Sequence, residues 1–147
     1  QRALELAQTA ALQDEVPIGA VVVNPETGEI IAEAHNKSEH GQEATAHAEL
    51  IAMQKACLKL KQKRLWNMDL YVTLEPCTMC AAAISFMRIR KLYFGAPDEK
   101  GGAVVSGVKF YEQPTCHHRP KVFGGMLESE CGKLLKDFFK AKRDKNS

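Results

Sequence analysis

Two short segments, far apart in the chain, carry the side chains that most constrain its fold. One contains His47 and Glu49, and the other, Pro76-Cys77-Thr78-Met79-Cys80, contains two cysteines. Structural zinc sites close their shell with four protein ligands, whereas catalytic sites keep three and leave the fourth position to water. His47, Cys77 and Cys80 supply three ligands, and Glu49 remains as a carboxylate that the metal does not need. The sequence therefore predicts a catalytic centre with one Zn²⁺ per chain, a water as fourth ligand, and Glu49 as the group that moves the water's protons.

The residues around both segments predict that each lies at the start of a helix. Residues 45–53 begin with Thr45, which suits an N-cap, and continue with good helix formers, so His47 and Glu49 fall in the first turn. Unpaired N–H groups and the helix dipole favour negative charge there. Residues 69–74 alternate and are rich in β-forming residues, which predicts a strand. Pro76 suits the first turn of a second helix that runs to Phe86, and two facing helix starts would form a compact cationic pocket.

The rest of the sequence predicts alternating helices and strands without repeats or a linker. Helices are expected over residues 2–14 and in one or two pieces over 127–142, where Leu134, Leu135, Phe138 and Phe139 would be apolar anchors. Further strands are expected over residues 18–23, 29–34, 91–95 and 121–124, with a turn at 24–28 and a loop with a short helical turn over 96–115. Helices interleaved with five strands predict an α/β protein, a three-layer α/β/α sandwich formed by residues 1–147 as a single domain. Spacing alone does not give the strand order.

Charge is distributed unevenly, although the formal net charge is only +2. Residues 1–54 hold nine acids and two bases, whereas residues 55–147 hold nine acids and eighteen bases. The bases form three clusters: Lys55, Lys59, Lys61, Lys63 and Arg64; Arg88, Arg90 and Lys91; and Lys133, Lys136, Lys140, Lys142, Arg143 and Lys145. One such cluster is usually a solvated surface, but three beside a catalytic pocket favour a partner with a phosphate backbone.

Cysteine usage and hydropathy predict where the chain works. No apolar run reaches transmembrane length and no signal peptide is recognisable, although the sequence begins at Gln1, so we expect no membrane association and a cytoplasmic location. Five cysteines, two of them assigned to metal, predict a reducing compartment rather than a disulfide scaffold. Cys57 is expected in the core, and Cys116 and Cys131 are expected to be free thiols. The other histidines are expected to form hydrogen bonds or lie on the surface rather than bind metal. They are His35, His40, His117 and His118.

Several longer motifs in the chain resemble those of a known protein family. They are Glu15-Val16-Pro17-Ile18-Gly19-Ala20, Asn36, Thr45-Ala46-His47-Ala48-Glu49, Tyr71-Val72-Thr73-Leu74-Glu75-Pro76-Cys77, Phe94-Gly95-Ala96 with Asp98, and Asp137-Phe138-Phe139. Together with the H-x-E…P-C-x-x-C pattern of zinc nucleobase deaminases, they make the chain resemble the bacterial tRNA-specific adenosine deaminases, of the cytidine deaminase-like superfamily. The resemblance implies a five-stranded mixed sheet. The C-terminal Asp-Phe-Phe followed by basic residues is the tRNA-specific part of the signal.

This resemblance implies deamination of the wobble adenosine of a tRNA anticodon to inosine, by a homodimer whose active sites are each completed by the neighbouring subunit. Asn36 would hydrogen-bond the adenine or its ribose, with a turn residue as the alternative. Asp98 would contact the anticodon near the flipped base or serve its own Pro-Asp turn. Ala48 would also contact the substrate, and of Phe138 and Phe139 one would contact a base and one would anchor the helix, with Phe139 taken as the contact.

Departures from the family pattern, and two rival functions, complete the expectations. His35 stands where the family often has Trp, His117-His118-Arg119 stands where it often has Asn-His-Arg, and residues 113–116 are individual to this chain. One rival is a deaminase of free nucleosides or nucleobases (cytidine, deoxycytidylate or guanine), which the basic clusters and the Asp-Phe-Phe segment disfavour. The other is a non-catalytic, zinc-stabilised RNA-binding module, which Glu49 disfavours because a structural site has no use for it.

Overall fold

The computed structural model describes residues 1–145 and contains one sheet between two layers of helices. The elements in chain order are α1 (Arg2–Leu12), β1 (Gly19–Val23), β2 (Ile30–His35), α2 (Ala48–Leu60), β3 (Asp69–Leu74), α3 (Thr78–Phe86), β4 (Lys91–Ala96), a 3-10 turn (Phe110–Glu112), β5 (Lys121–Phe123) and α4 (Glu128–Lys145). The sheet order is β2-β1-β3-β4-β5. β1 is antiparallel to both of its neighbours, and β3, β4 and β5 run parallel to one another, so the sheet is mixed as expected.

Alternation along the strands separates the two helical layers. Gly19 faces α1, because a Cβ there would collide with the helix backbone, whereas Ala20 and Val22 lie in the main core. That core also holds Met53 of α2 and Ile84 of α3, both fully buried. α1 and α4 contact each other and the sheet on one side, and α2 and α3 contact each other on the other side. The three-layer α/β/α sandwich predicted from the sequence is therefore confirmed.

The terminal helices differ most from the sequence-based expectation. α1 ends at Leu12, and the C-terminal segment forms a single helix of 18 residues. Cys131 is the only buried one among its described residues, whereas Phe139 is 44% exposed. The four apolar residues expected as core anchors are therefore only partly so. Leu134 packs against a small cluster beside the sheet and Phe138 is half-buried, but Phe139 remains at the surface.

The cysteines and histidines outside the predicted metal site behave as expected. All five cysteines are free, Cys57 packs partly against the main core, and Cys116 and Cys131 are buried. His118 pairs with the backbone oxygen of Ile89. No helix among residues 1–145 is long and apolar enough to cross a membrane.

Candidate active site

The histidine of the first motif caps a helix rather than lying inside it. His47 occupies the N-cap of α2 with an extended backbone, and Glu49 lies in the first turn. Thr45, the expected cap, instead donates its hydroxyl to the carboxylate of Glu43. The helix therefore begins two residues later than the sequence predicted, because the backbone at His47 is still non-helical. Glu49 consequently points into the protein and is only 4% exposed, which is unusual for a carboxylate.

The cysteine motif uses the same device at the end of β3. Cys77 is the N-cap of α3 and Cys80 lies one turn later, completely buried. Pro76 precedes the cap rather than occupying the first turn, so it ends the strand segment instead of starting the helix. Two helix N-termini therefore meet at the donor group, so the positive ends of both helix dipoles lie beside it.

The three donor atoms have the spacing of a tetrahedral metal site. Sγ of Cys77 and Sγ of Cys80 each lie 3.6 Å from Nδ1 of His47, and the three ligand atoms all lie within 4.8 Å of one another. Zinc bonds of the usual length at a tetrahedral angle would separate a sulfur from a nitrogen ligand by about 3.6 Å. Within residues 1–145 this is the one group of three or more metal-type side chains that are close enough to share an ion. The donors therefore fit a metal ion that prefers nitrogen and sulfur.

Burial and mutual hydrogen bonds shift the protonation of the site. Burial raises the pKa of Glu49 to about 7. A hydrogen bond from Cys80 lowers the pKa of Cys77 to about 4, and the same bond together with burial raises the pKa of Cys80. The contact with Cys77 raises the pKa of His47. Because metal ligands must be deprotonated, a bound cation would displace the Cys80 proton and would favour the ionised form of Glu49.

A cavity of about 300 Å³ lies beside the donor group, near the lower limit of typical small-molecule sites. Its lining residues are Val16, Ile18, Asn36, Ser38, His47, Glu49, Leu74, Glu75, Cys77, Asp98, Gly101, Leu135 and Phe139. The structure therefore brings Asn36, Asp98 and Phe139, which the sequence singles out, to the same cavity as the donor group.

Asn36 is held in one orientation by the helix that carries Glu49. Its Oδ1 accepts a 2.8 Å hydrogen bond from the backbone N–H of Ala48. Ala48 itself is fully buried, and its N–H is used by Asn36. With its surface buried and its N–H paired, Ala48 affects the cavity through Asn36, and its own contact with the substrate stays a prediction. The amide NH₂ of Asn36 remains as the group that can donate a hydrogen bond into the cavity.

Asp98 serves its own turn, and because it also lies in the cavity wall, its contact with the anticodon stays a prediction. Its Oδ1 accepts hydrogen bonds from the N–H groups of Lys100 and Gly101, which closes the turn, and the residue also lines the cavity. Phe139 and Phe138 form an edge-to-face pair with ring centroids 5.4 Å apart. Phe139 reaches the cavity, whereas Phe138 lies under the ammonium group of Lys142.

Two buried carboxylates beside the cavity were not identified from the sequence as functional residues. Glu75 accepts hydrogen bonds from the loop that follows β4, and Glu15 accepts them from Glu39 and His40 in the loop that follows β2. Both belong to segments that match the family motifs. Their sequence signal is an acidic residue one or two positions before a proline, but their partners are mostly backbone N–H groups, which leave no mark in the sequence.

The carboxylate of Glu15 leads to a prediction about stability and pH. It is 1% exposed, and although burial opposes its ionisation, the hydrogen bonds from His40 and Glu39 lower its pKa. We expect Glu15→Gln to lower the free energy of unfolding by about 1.5–3 kcal/mol at neutral pH. A carboxyl group with a lowered pKa contributes stability above its unfolded pKa of about 4.3 and loses it as the pH falls through the folded value. The difference from wild type should therefore shrink below about pH 4.

Urea unfolding of both proteins at neutral pH and at successively lower pH measures this difference. Glu26→Gln is the matched control, because Glu26 is an exposed turn residue that contributes only its backbone N–H to the turn. A destabilisation of Glu15→Gln that does not depend on pH would contradict the assignment.

The basic clusters lie at different ends of the molecule. The cluster of residues 55–64 begins in the middle of α2, with Lys55 about 12 Å along the helix from His47, and continues past the end of the helix, which is about 20 Å away. Arg88, Arg90 and Lys91 lie between α3 and β4, also away from the cavity, and Arg90 forms a two-pronged pair with Asp69. The C-terminal cluster lies along α4 on both sides of Phe139, which lines the cavity. In this chain only the third cluster is therefore next to its own cavity, which charge counts along the sequence do not show.

Comparison with known proteins agrees with this fold and site. The model of the MafB19-like deaminase family matches residues 1–143. The chain is 57% identical to the tRNA-specific adenosine deaminase of Agrobacterium fabrum, over 96% of this chain and 91% of that protein. A solved structure from a study of A-to-I editing by tRNA:A34 deaminases at the wobble position superposes with a TM-score of 0.88 at 57% identity, covering 90% of this chain and 95% of the other. Guanine deaminase from Bacillus subtilis superposes with a TM-score of 0.63 at 29% identity, covering 97% and 90%.

The mixed sheet, the paired helix starts and the His-Cys-Cys group beside a buried glutamate define a protein of the deaminase class. Shared fold alone leaves the substrate open, because the guanine deaminase has the same architecture. Identity over almost the whole length distinguishes between the members of this class. The chain belongs to the family of tRNA-specific adenosine deaminases.

Proposed function

We propose that this protein hydrolyses the wobble adenosine of a tRNA anticodon loop to inosine and releases ammonia. The observation that carries the reaction is the buried carboxylate of Glu49 beside a group of three, not four, metal-type donors. The substrate class follows from 57% identity to a tRNA-specific adenosine deaminase. His47, Cys77 and Cys80 would hold one Zn²⁺ per subunit, with a water as its fourth ligand. Bound zinc supplies a nucleophile at neutral pH, because it lowers the pKa of water.

Glu49 is the residue that can carry protons through the reaction. Hydrolytic deamination adds water at C6 of adenine, protonates the ring nitrogen N1, and releases the exocyclic amino group as ammonia. Glu49 accepts one proton of the attacking water and delivers it to N1. It then accepts the water's second proton and transfers it to the departing amine. Its burial keeps bulk water away from the transfer, and its place in the first turn of α2 fixes it beside the donor group.

The base and its neighbours would be held by residues around the cavity. Asn36, oriented by Ala48, donates its NH₂ to an acceptor on the adenine or its ribose. Asp98 lies at the other side of the cavity and contacts the anticodon near the flipped base. Phe139 offers an exposed ring on which a neighbouring base can stack, a contact of about 1–3 kcal/mol per base. A single-stranded loop is the substrate from which a base is most easily flipped.

The rival functions make different predictions about this surface. A free-nucleobase deaminase has no need of the exposed Phe139 or of the six basic residues of the C-terminal cluster beside the cavity. A non-catalytic zinc module has no need of a buried carboxylate that does not bind metal. The arrangement of Glu49, Phe139 and α4 therefore favours an RNA deaminase over both.

The direct test is incubation with an anticodon stem-loop that carries adenosine at the wobble position. We expect inosine to accumulate in the stem-loop, with free adenosine and cytidine neither deaminated at a comparable rate nor able to compete. Because phosphate contacts release counterions, binding should weaken steeply with salt. Turnover of free adenosine that is independent of salt, with no preference for the stem-loop, would favour the nucleoside deaminase instead.

Variants of α4 separate the phosphate contacts from stacking. Neutralising Lys140, Lys142 and Arg143 together should flatten the salt dependence without changing the zinc content. Phe139→Ala should lower affinity with the salt dependence unchanged. Neutralising Lys109 and Lys121, which are exposed and line neither the cavity nor the groove beside Leu58, is the control and should change the salt dependence less.

We further propose that the protein is a homodimer and that residues 1–147 form a single domain working in the cytoplasm. Leu58 at the end of α2 and Phe86 at the end of α3 are 79% and 69% exposed, and Leu58 and Met87 line a shallow groove. Such an apolar patch is typical of a protein interface. In a symmetric dimer this patch would meet its own copy, and each subunit would complete its neighbour's active site. A monomeric mass in sedimentation equilibrium would contradict this assembly.

A further inference from the structure

The carboxylate of Glu75 is the most fully satisfied acceptor near the cavity. It lies directly after β3 and is 2% exposed. One oxygen accepts hydrogen bonds from the N–H of Asp98 at 2.9 Å and the hydroxyl of Ser106 at 3.0 Å. The other accepts from the N–H groups of Val104, Val105 and Ser106 at 3.0, 2.9 and 2.9 Å. A single side chain therefore joins both ends of the loop formed by residues 98–106.

This loop contains no helix or strand, so its backbone groups depend on other partners. It runs between β4, which ends at Ala96, and the 3-10 turn that begins at Phe110. Buried backbone N–H groups are almost always paired, and an unpaired one costs about 1–3 kcal/mol. Four of the loop's N–H groups are paired by Glu75, which takes the place that a neighbouring strand would otherwise fill. Asp98 and Gly101 in the same loop line the cavity, so the position of the cavity wall depends on Glu75.

Gly102 provides a second, independent sign of this contact. A Cβ at Gly102 would lie 2.6 Å from Oε1 of Glu75 and 2.5 Å from the backbone oxygen of Asp98. Both distances are below any that a real side chain shows. The glycine is therefore required for the close approach of the loop to the carboxylate, and a methyl group there should push the loop away.

We propose that Glu75 is a positioning residue that holds the loop of residues 98–106 against the cavity and thereby fixes Asp98 where it meets the RNA. The proposal deepens the proposed function and rests on it for the identity of the substrate. We infer that Glu75 does not contact the reacting atoms, because all five hydrogen bonds described for its carboxylate come from the loop. Its effect should therefore fall on substrate binding, which is shared by the ground state and the transition state, and not on proton transfer.

The test compares Glu75→Gln with Glu99→Gln, the same change at an exposed position of the same loop. The glutamine has one acceptor oxygen instead of two, and its NH₂ would face N–H donors. We expect the KM for the anticodon stem-loop to rise about 10- to 100-fold, as for the loss of hydrogen bonds to a charged group, with kcat changed much less. Zinc content should stay at one per subunit. Hydrogen exchange of the amides of Val104, Val105 and Ser106 should accelerate.

Gly102→Ala should reproduce these effects by crowding instead of by loss of the carboxylate. If both substitutions act through one contact, their effects on KM should not add in the double variant. Ser106→Ala, which removes one of the five donors, should give a smaller change in the same direction. It also replaces Glu75→Gln as the deciding variant if that protein does not fold.

Three results would overturn the proposal. The first is a Glu75→Gln protein whose loop exchange and KM match those of Glu99→Gln. If Glu75→Gln does not fold, the corresponding result is a Ser106→Ala protein whose loop exchange and KM match those of wild type. The second is zinc content below one per subunit in Glu75→Gln, since Glu75 would then act through the neighbouring Cys77. The third is additive effects in the double variant. Failure of the wild-type protein to deaminate the stem-loop would refute the proposed function instead, while the exchange measurement would still decide whether Glu75 holds the loop.

Discussion

Glu49→Gln should retain its zinc and its affinity for the anticodon stem-loop while losing almost all deamination. The substitution keeps the shape of a side chain that is buried beside the donor group, so packing and metal ligands should be undisturbed. It removes the acceptor for the water proton and the donor for N1 and the amine. General acid–base assistance contributes about 10²–10⁴-fold, and a residue that serves several transfers should lie at the upper end of that range.

Single-turnover measurement of inosine, with zinc analysis and stem-loop binding on the same protein, separates these effects. Glu112→Gln, the same change at an exposed residue of the 3-10 turn, serves as the control and should leave all three quantities unchanged. A Glu49→Gln protein that deaminates within a few-fold of wild type would mean that another group transfers the protons. Loss of zinc in the same variant would instead indicate that Glu49 supports the metal site.

The metal-binding part of the site could be predicted because it is encoded by local spacing. Cys77 and Cys80 lie one helical turn apart wherever a helix begins at the first of them, and that spacing brings both sulfurs to one metal. The surplus carboxylate near His47 distinguishes a catalytic centre from a structural one. The positions of Thr45 and Pro76 relative to the helix starts were less predictable, since a cap is decided by backbone conformation.

The loop contacts could not be predicted because one partner in each is a backbone N–H group, which carries no sequence signal. Glu75 and Glu15 each accept backbone N–H groups from segments that are distant in sequence. Any residue except proline supplies such a donor, so no pattern in the loop marks it. Gly102 is the exception, because the space that the carboxylate occupies excludes a side chain there. The sequence shows that glycine, but it does not show what lies opposite.

Long-range placement was the other missing information. The basic residues of the segment 55–64 are obvious in the sequence, yet only the length and direction of α2 show that they lie away from the cavity of their own chain. The strand order β2-β1-β3-β4-β5 likewise depends on pairing between distant segments. It matters for function because it sets β3 beside β4, and the residues after these strands, Glu75 and Asp98, meet at the same edge of the sheet.

Cys80→Ala should reduce bound zinc well below one per subunit and abolish deamination. Cys80 is completely buried, and its sulfur lies 3.6 Å from Nδ1 of His47, so neither water nor a neighbouring side chain can replace it easily. A ligand that binds only the folded protein stabilises it by mass action, by about 4 kcal/mol when its free concentration is 1,000 times its dissociation constant. The wild-type melting temperature should therefore fall on treatment with a chelator and recover when zinc is added, whereas that of Cys80→Ala should respond to neither.

Cys131→Ala separates loss of the ligand from loss of a buried thiol. Cys131 is also free and buried, but it lies on the inner face of α4 and outside the donor group. Its replacement should cost some stability through the cavity it leaves, while zinc content and the response to the chelator remain those of wild type. Full zinc occupancy in Cys80→Ala would show that the metal has other ligands. Because deamination depends on the same three donors, a Cys80→Ala protein that lacked zinc yet still produced inosine would refute the metal-dependent reaction itself.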